Sequence, residues 1–212
     1  MVDFFLTALV TLFVTIDPPG LAPVFVVLTA GRTRSERRST AIRATVIAGV
    51  ALIAFALVGE PLIGFLGITL PAFRIAGGLL LFVIAFEMVF GRREERKSAT
   101  AQTAVDEAEF RNVAVFPLAI PLITGPGAIS ATILLASQAH SFGLMAGLIV
   151  IIVLLIGACL AVFLLSHQLD RILGDTGRIV VSRLLGLILA ALSVQFVADG
   201  ITTMVKTAMA TS

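Results

Sequence analysis

An acid, two prolines and a glycine stand together in the middle of an apolar run. The stretch is Thr15-Ile16-Asp17-Pro18-Pro19-Gly20, within residues 4–30. Ionised on a lipid-facing helix, Asp17 would cost roughly 2.5–3.5 kcal/mol or more, so its carboxylate must face protein or water. Two chemistries suit it there. As an N-cap it accepts from the free backbone N–H groups of a helix that starts at Pro18. In a cavity it holds a substrate ammonium or a coupling cation, H+ or Na+. The two roles are compatible.

A related interruption, Ile123-Thr124-Gly125-Pro126-Gly127, lies in the second half of the chain. It has no acid, because Thr124 stands where the first has Asp17. Pro18 and Pro19 carry no N–H, so the first free donor of that half-helix is Gly20. The second interruption has only Pro126, which leaves Gly125, Gly127 and Ala128 as donors. Free N–H groups at a helix N-terminus attract anions. The expectation is a polarised pair. Thr124, Gly125, Pro126, Gly127 and Ala128 receive a substrate carboxylate. Asp17, with Pro18, Pro19, Gly20 and the carbonyls that end the preceding helical piece, takes an amine or a cation.

Thr15, Ser130 and Thr132 lie close enough to line the same space, although hydroxyls in helices also bond back to their own backbone. Gln195, inside the last apolar region, either touches the solute or joins two helices. Glu87, one turn from Gly91-Arg92-Arg93, is expected to pair or snorkel there. Arg74 and Arg183 read as interface anchors. His140 and His167 form no ligand pair, and Cys159 reads as a small buried apolar residue. No nucleophile motif, metal-ligand spacing or phosphate loop is present, so neither an enzyme nor a cofactor is expected.

These residues sit in a chain built for lipid. Of its 212 residues, 58% are hydrophobic and only 13% are charged; the mean hydropathy is +1.10. Globular domains run nearer 45–50% apolar and about 25% charged. Six apolar regions, at 4–30, 41–60, 72–91, 112–138, 142–166 and 178–200, are each long enough to cross a membrane as helix. The net charge of +2 gives no reason to expect nucleic acid as a partner. The basic residues cluster beside the apolar regions. Loops bearing Arg32, Arg34, Arg37, Arg38 and Arg43, then Arg92, Arg93, Arg96, Lys97 and Arg111, then Arg171, Arg178 and Arg183, alternate with loops lacking Lys or Arg. By the positive-inside rule both termini are outside and the basic loops are cytoplasmic. Residues 62–70 read as a short interfacial segment after a span ending near Gly59-Glu60-Pro61, and residues 92–111 as a cytoplasmic linker.

The halves also repeat. The two interruptions align at a shift of 107, as do Leu66-Gly67-Ile68-Thr69 and Leu173-Gly174-Asp175-Thr176; Arg74, Gly77 and Gly91 align with Arg183, Gly186 and Gly200 at a shift of 109. Three spans per half is an odd number, so the second half enters the membrane inverted. The fold expected is an all-α membrane protein of two inverted three-span repeats, residues 1–91 and 112–212, with the first span of each broken at midplane, at 17–20 and 124–127. Many secondary transporters are built so, with the site where the broken helices meet.

The interruptions, together with Pro121-Leu122-Ile123-Thr124-Gly125-Pro126-Gly127-Ala128-Ile129 and with Ser182-Arg183 leading to Val194-Gln195-Phe196-Val197-Ala198-Asp199-Gly200-Ile201, resemble the MarC family over essentially the whole chain. The resemblance implies a six-span protein of the bacterial or archaeal inner membrane with periplasmic termini, in a class with neutral amino acid transporters for glycine- and alanine-like substrates. The function expected is a secondary transporter of a small zwitterionic solute. An exporter or channel for another solute, such as a drug or metabolite, and a non-transporting membrane scaffold are the alternatives. The lipid bilayer is a partner in each case, and a homo-oligomer is compatible with all three.

Overall fold

A computed structural model describes residues 2–106 and 113–211, with backbone alone at 104–106, 167–176, 178, 210 and 211. The described residues are helical and contain no strand. Among the described residues, five helical stretches are long and apolar enough to cross a membrane, or six if one bent pair counts as a single span. The chain is therefore an integral, multi-pass membrane protein.

Helix α1, Val2–Ile16, ends where Asp17 turns into the left-handed region (φ 57, ψ 64), and α2, Pro18–Leu28, begins at once. Aspartate is among the few residues that visit this region readily. The two proline N–H groups missing from the first turn of α2 would have been unpaired anyway. Together the two helices form one 27-residue candidate span. Gly31, also left-handed (φ 73), turns the chain. A capping box then starts α3, Arg34–Phe65: the Glu36 N–H donates to Thr33 Oγ1 at 3.3 Å, and the Thr33 N–H donates to Glu36 Oε2 at 2.8 Å.

Helix α3 passes through Pro61, which corrects the expected stop at Gly59-Glu60-Pro61 and the separate interfacial segment at 62–70. Pro61 forfeits its own bond to the Leu57 carbonyl, but the helix continues past it to Phe65, and Ile63 beyond it is buried. Thr69 caps α4, Leu70–Val89. The segment 92–106, expected as part of a linker, folds as helix α5, Arg92–Asp106. The remaining linker residues, 107–111, lie outside the described residues.

The second interruption is longer than the sequence suggested. In the wide-turned α6, Ala114–Ile123, Phe116 and Ile120 have extended backbone, each directly before a proline. Steric conflict with the proline ring pushes the preceding residue into that region. A 58° bend then separates α6 from α7, Pro126–Ala136. Helix α8, Phe142–Leu164, and the single helix α9, Ser166–Thr211, complete the chain. The apolar part of α9, Ile179–Met209, runs past the C-terminal end of the expected region at 178–200.

Helix α7 is the centre of the molecule. Nine of its eleven residues are buried, against α1, α3 and α4. Its apolarity on all sides suits a helix enclosed by others. Helices α4 and α9 pack antiparallel along their length. A Cβ on Gly78 would stand 2.9 Å from the Ser193 carbonyl, one on Gly186 3.1 Å from the Ala85 carbonyl, and one on Gly200 2.9 Å from the Pro71 carbonyl. Small residues let backbones approach this closely, which is how helices associate in lipid.

Candidate functional site

Asp17 divides its carboxylate between two tasks. Its Oδ1 accepts from the Gly20 N–H at 3.2 Å, the expected N-cap. A Cβ at Gly20 would lie 2.2 Å from Asp17 Oδ2, so only glycine leaves the carboxylate room. Oδ2 faces two cations from α5. Lys97 Nζ donates to it at 2.8 Å, and Arg93 Nε stands 3.7 Å away. Arg93 Nη2 donates to the Thr15 carbonyl at the end of α1. The carbonyls and carboxylate expected to take a solute amine therefore meet cations of the chain itself.

These contacts explain why α5 folds onto the core. Arg93, Lys97 and Ala101 recur every four residues and are all buried, the two cations at 4% and 5% exposure. Burial lowers the pKa of both basic groups from their ordinary values, and the Asp17 carboxylate opposes that shift. Arg96 turns from Asp17 to Glu87 on α4 in a 2.9 Å ion pair, so Glu87 pairs with Arg96 and not with Arg92 or Arg93 beside Gly91. Arg93 and Lys97 had counted among the basic residues of a cytoplasmic loop; they are core groups.

A cavity of about 310 Å³ opens beside this cluster. Its polar wall is made by Arg93, Lys97, Arg96 and Thr100 of α5, by Thr15, and by the start of α7 at Gly125, Pro126, Gly127 and Ala128; Leu80, Val83 and Ile84 of α4 supply apolar wall. Gly125 is the N-cap of α7 and no side chain caps that end. The Ile129 N–H is spent on the Gly125 carbonyl at 3.0 Å. The Gly127 and Ala128 N–H groups precede it in the first turn, which has no earlier helical carbonyl to bond. A Cβ on Gly127 would sit 3.2 Å from Thr15 Cγ2, so the two interruptions pack directly on each other.

Five of the expected site residues thus share the cavity: Thr15, Gly125, Pro126, Gly127 and Ala128. Asp17, Pro19 and Gly20 line a separate, smaller space of about 50 Å³ with Glu94 and residues of α9. Pro18 is buried at the start of α2. Thr124 is buried and turns its hydroxyl to the Ala119 carbonyl at 2.8 Å. Ser130 is buried within α7, close to Gly77. Gln195 corrects the expectation of a solute contact or a bond between helices: it is exposed and donates to Asp199 Oδ1 at 2.8 Å, one turn along its own helix. An amide four residues from an acid on one helix face has a partner within its own helix. Sequence reasoning missed Arg93, Arg96, Lys97 and Thr100; Arg93, Lys97 and Ala101 do recur every four residues, but a stripe that carries charge does not read as a hydrophobic period.

Among known proteins, the family model described as "MarC family integral membrane protein" matches residues 2–205. A protein named "UPF0056 membrane protein" from Archaeoglobus fulgidus is 36% identical over 203 residues, 94% of this chain and 92% of that one. A UPF0056 membrane protein of Methanocaldococcus jannaschii is 38% identical over 203 residues, covering 94% and 96%. One from Escherichia coli K12 is 36% identical over 193 residues, covering 90% and 88%. No solved structure matches the chain significantly.

Proposed function

We propose that this chain, which belongs to the MarC family of integral membrane proteins, is a secondary transporter of small neutral amino acids of the glycine and alanine type. It works in the cytoplasmic membrane, with both termini outside, by alternating access driven by an ion gradient. The observation that carries this reading is the cavity where the uncapped start of α7 faces Arg93 and Lys97 across Thr15. Its volume lies at the small end of the range for ligand pockets. Few convergent polar groups and a mostly apolar remainder suit a small solute with one charged end.

The solute carboxylate docks on the Gly127 and Ala128 N–H groups, with Arg93 alongside. Its ammonium competes with Lys97 for Asp17, since the two are the same chemical group. Occupied, the site releases α5 from Asp17 and the Thr15 carbonyl. Empty, Lys97 returns and closes it. Repeat symmetry supplies the motion. Helices α1–α4 and α6–α9 follow one order: an interrupted span, a long helix, then a glycine-rich helix. Equivalent members pack on each other, α3 on α8 and α4 antiparallel on α9. Inverted repeats that rock about a shared midplane site are the common design of such carriers.

The test is uptake of labelled glycine, alanine and serine into proteoliposomes under imposed H+ or Na+ gradients. Saturable, gradient-dependent flux that unlabelled alanine competes for is expected. Absence of flux for every amino acid in both directions would reject the reading in favour of another solute or a scaffold.

A further inference from the structure

We infer that the cavity is a standing monoanion site anchored by Arg93, occupied by a small inorganic anion or by a carboxylate whether or not the ligand also carries an amine. Among the described residues the buried charged side chains are Asp17, Arg93 and Lys97. Two cations face one carboxylate, so the cluster carries one uncompensated positive charge. Asp17 is fully engaged, Oδ1 with the Gly20 N–H and Oδ2 with Lys97. Arg93 Nη2 is engaged with the Thr15 carbonyl, but Nη1 and Nε have no hydrogen-bond partner although both are buried. At 3.7 Å, Nε is too far from Asp17 Oδ2 for a hydrogen bond.

A buried cation with open donors is costly, and Arg cannot relieve it by losing its proton. An anion relieves it. The other wall of the same cavity offers what an anion needs, the uncapped N–H groups at Gly127 and Ala128 and the positive end of α7. The contrast with the first interruption is internal to the chain. There the helix start is closed by its own carboxylate, Asp17; here no residue supplies one. Arg96 adds no net charge, because Glu87 pairs with it. Thr15 and Thr100 line the cavity, but their hydroxyls donate to the carbonyls of Thr11 and Arg96. The recognition elements for charge are thus Arg93 and two backbone N–H groups, which suit one carboxylate or one halide-sized ion.

This inference deepens the transport reading and uses the same cavity, but it needs no flux. The experiment is thermal melting of the full chain in detergent at fixed ionic strength, replacing the bulky sulfonate of a HEPES salt by chloride or acetate, adding zwitterionic glycine to the HEPES salt, and, as the cationic control, adding glycinamide hydrochloride against matched chloride. A saturable rise in melting temperature with acetate and glycine, and none from glycinamide beyond matched chloride, is expected. Saturation with chloride as well identifies a general monoanion site, and its absence a carboxylate site. Arg93→Gln is expected to weaken the midpoint at least tenfold, and Arg93→Lys to restore part of it. The inference is overturned if no anion saturates in the wild type, a result independent of any variant's folding. It is equally overturned if Arg93→Gln folds and binds with an unchanged midpoint. Anion binding without flux would reject transport and keep the site; flux without anion dependence would do the reverse.

Discussion

Lys97 Nζ lies 2.8 Å from Asp17 Oδ2, across eighty residues of chain and with both side chains buried. The pair fastens α5 to the point where α1 gives way to α2. Its two members are not equivalent, because Arg93 stands by. Removing the carboxylate with Asp17→Asn leaves Lys97 and Arg93 facing each other unpaired. Removing the ammonium with Lys97→Gln leaves Asp17 with Arg93, a neutral pair. Loss of one partner from a buried pair costs about 3–5 kcal/mol. Asp17→Asn is expected to show that full loss, and Lys97→Gln about 1–3 kcal/mol, nearer the cost of an unmade buried hydrogen bond. Chemical unfolding in detergent gives the order directly. Equal losses would mean that Arg93 contributes nothing to holding Asp17. The double variant should lose less than the two singles added together.

The titration of Lys97 offers a second check, because stability and ligand affinity should move in opposite directions. Burial lowers the Lys97 pKa more than anything else; Asp17 raises it, Arg93 lowers it further, and Cys159 raises it slightly. A depressed folded pKa means that the unfolded chain holds more protons in the window between the folded value and the ordinary lysine range. Stability therefore rises with pH across that window. Deprotonated, Lys97 no longer neutralises Asp17, and the cluster falls from a net positive charge to none. Anion affinity should fall as pH rises through the same window. Lys97→Gln is expected to remove both slopes. Calorimetric melting and anion titration between neutral and alkaline pH measure them on one sample.

Hydropathy made most of the spans legible, because apolar runs of membrane length have few alternative fates. The Asp17 cap and the donor count at Gly20 were legible for a local reason: proline has no N–H, and a short acid reaches the next free one. Helix α5 was not. Its buried stripe at Arg93, Lys97 and Ala101 carries charge, so a hydrophobic period cannot reveal it, and its partner Asp17 is far away in the chain. The early start of the second interruption is written in Phe116-Pro117 and Ile120-Pro121, four residues apart, whereas the glycines at 125 and 127 mark only its end. Gln195 looked polar enough to need a distant partner; Asp199 on its own helix supplied one.

The antiparallel seam between α4 and α9 predicts which glycines are irreplaceable. A Cβ on Gly78 would meet the Ser193 carbonyl at 2.9 Å and Val197 Cγ2 at 2.8 Å. The backbone partner cannot swing aside, so Gly78→Ala must separate the helices. Overpacking of this kind costs about 1–3 kcal/mol. Gly64, in α3, has nothing within 4 Å of its Cβ position and an ordinary helical backbone. Gly64→Ala should be neutral or stabilising by about 0.5–1 kcal/mol, the ordinary gain of alanine over glycine in a helix. Melting temperatures of the two variants in one detergent decide it, and a Gly78→Ala protein as stable as Gly64→Ala would refute the seam.

Gly127 tests the cavity itself. Its Cβ position lies 2.1 Å from Ile84 Cδ1 and 3.2 Å from Thr15 Cγ2. The first clash involves the far end of a flexible side chain that can rotate, so Gly127→Ala should cost little stability. Ile84 also lines the cavity, and the space open to its displaced Cδ1 is the space a solute needs. Ligand affinity is therefore expected to fall by about tenfold, roughly 1.4 kcal/mol, in a protein that melts nearly as the wild type does. Adding Ile84→Val removes the clashing carbon and should return most of that affinity. A purely structural role for Gly127 predicts the opposite pattern, lost stability that tracks lost binding and no rescue by Ile84→Val. Anion titration and melting of the single and double variants separate the two, and they do so without requiring any knowledge of which solute the protein carries.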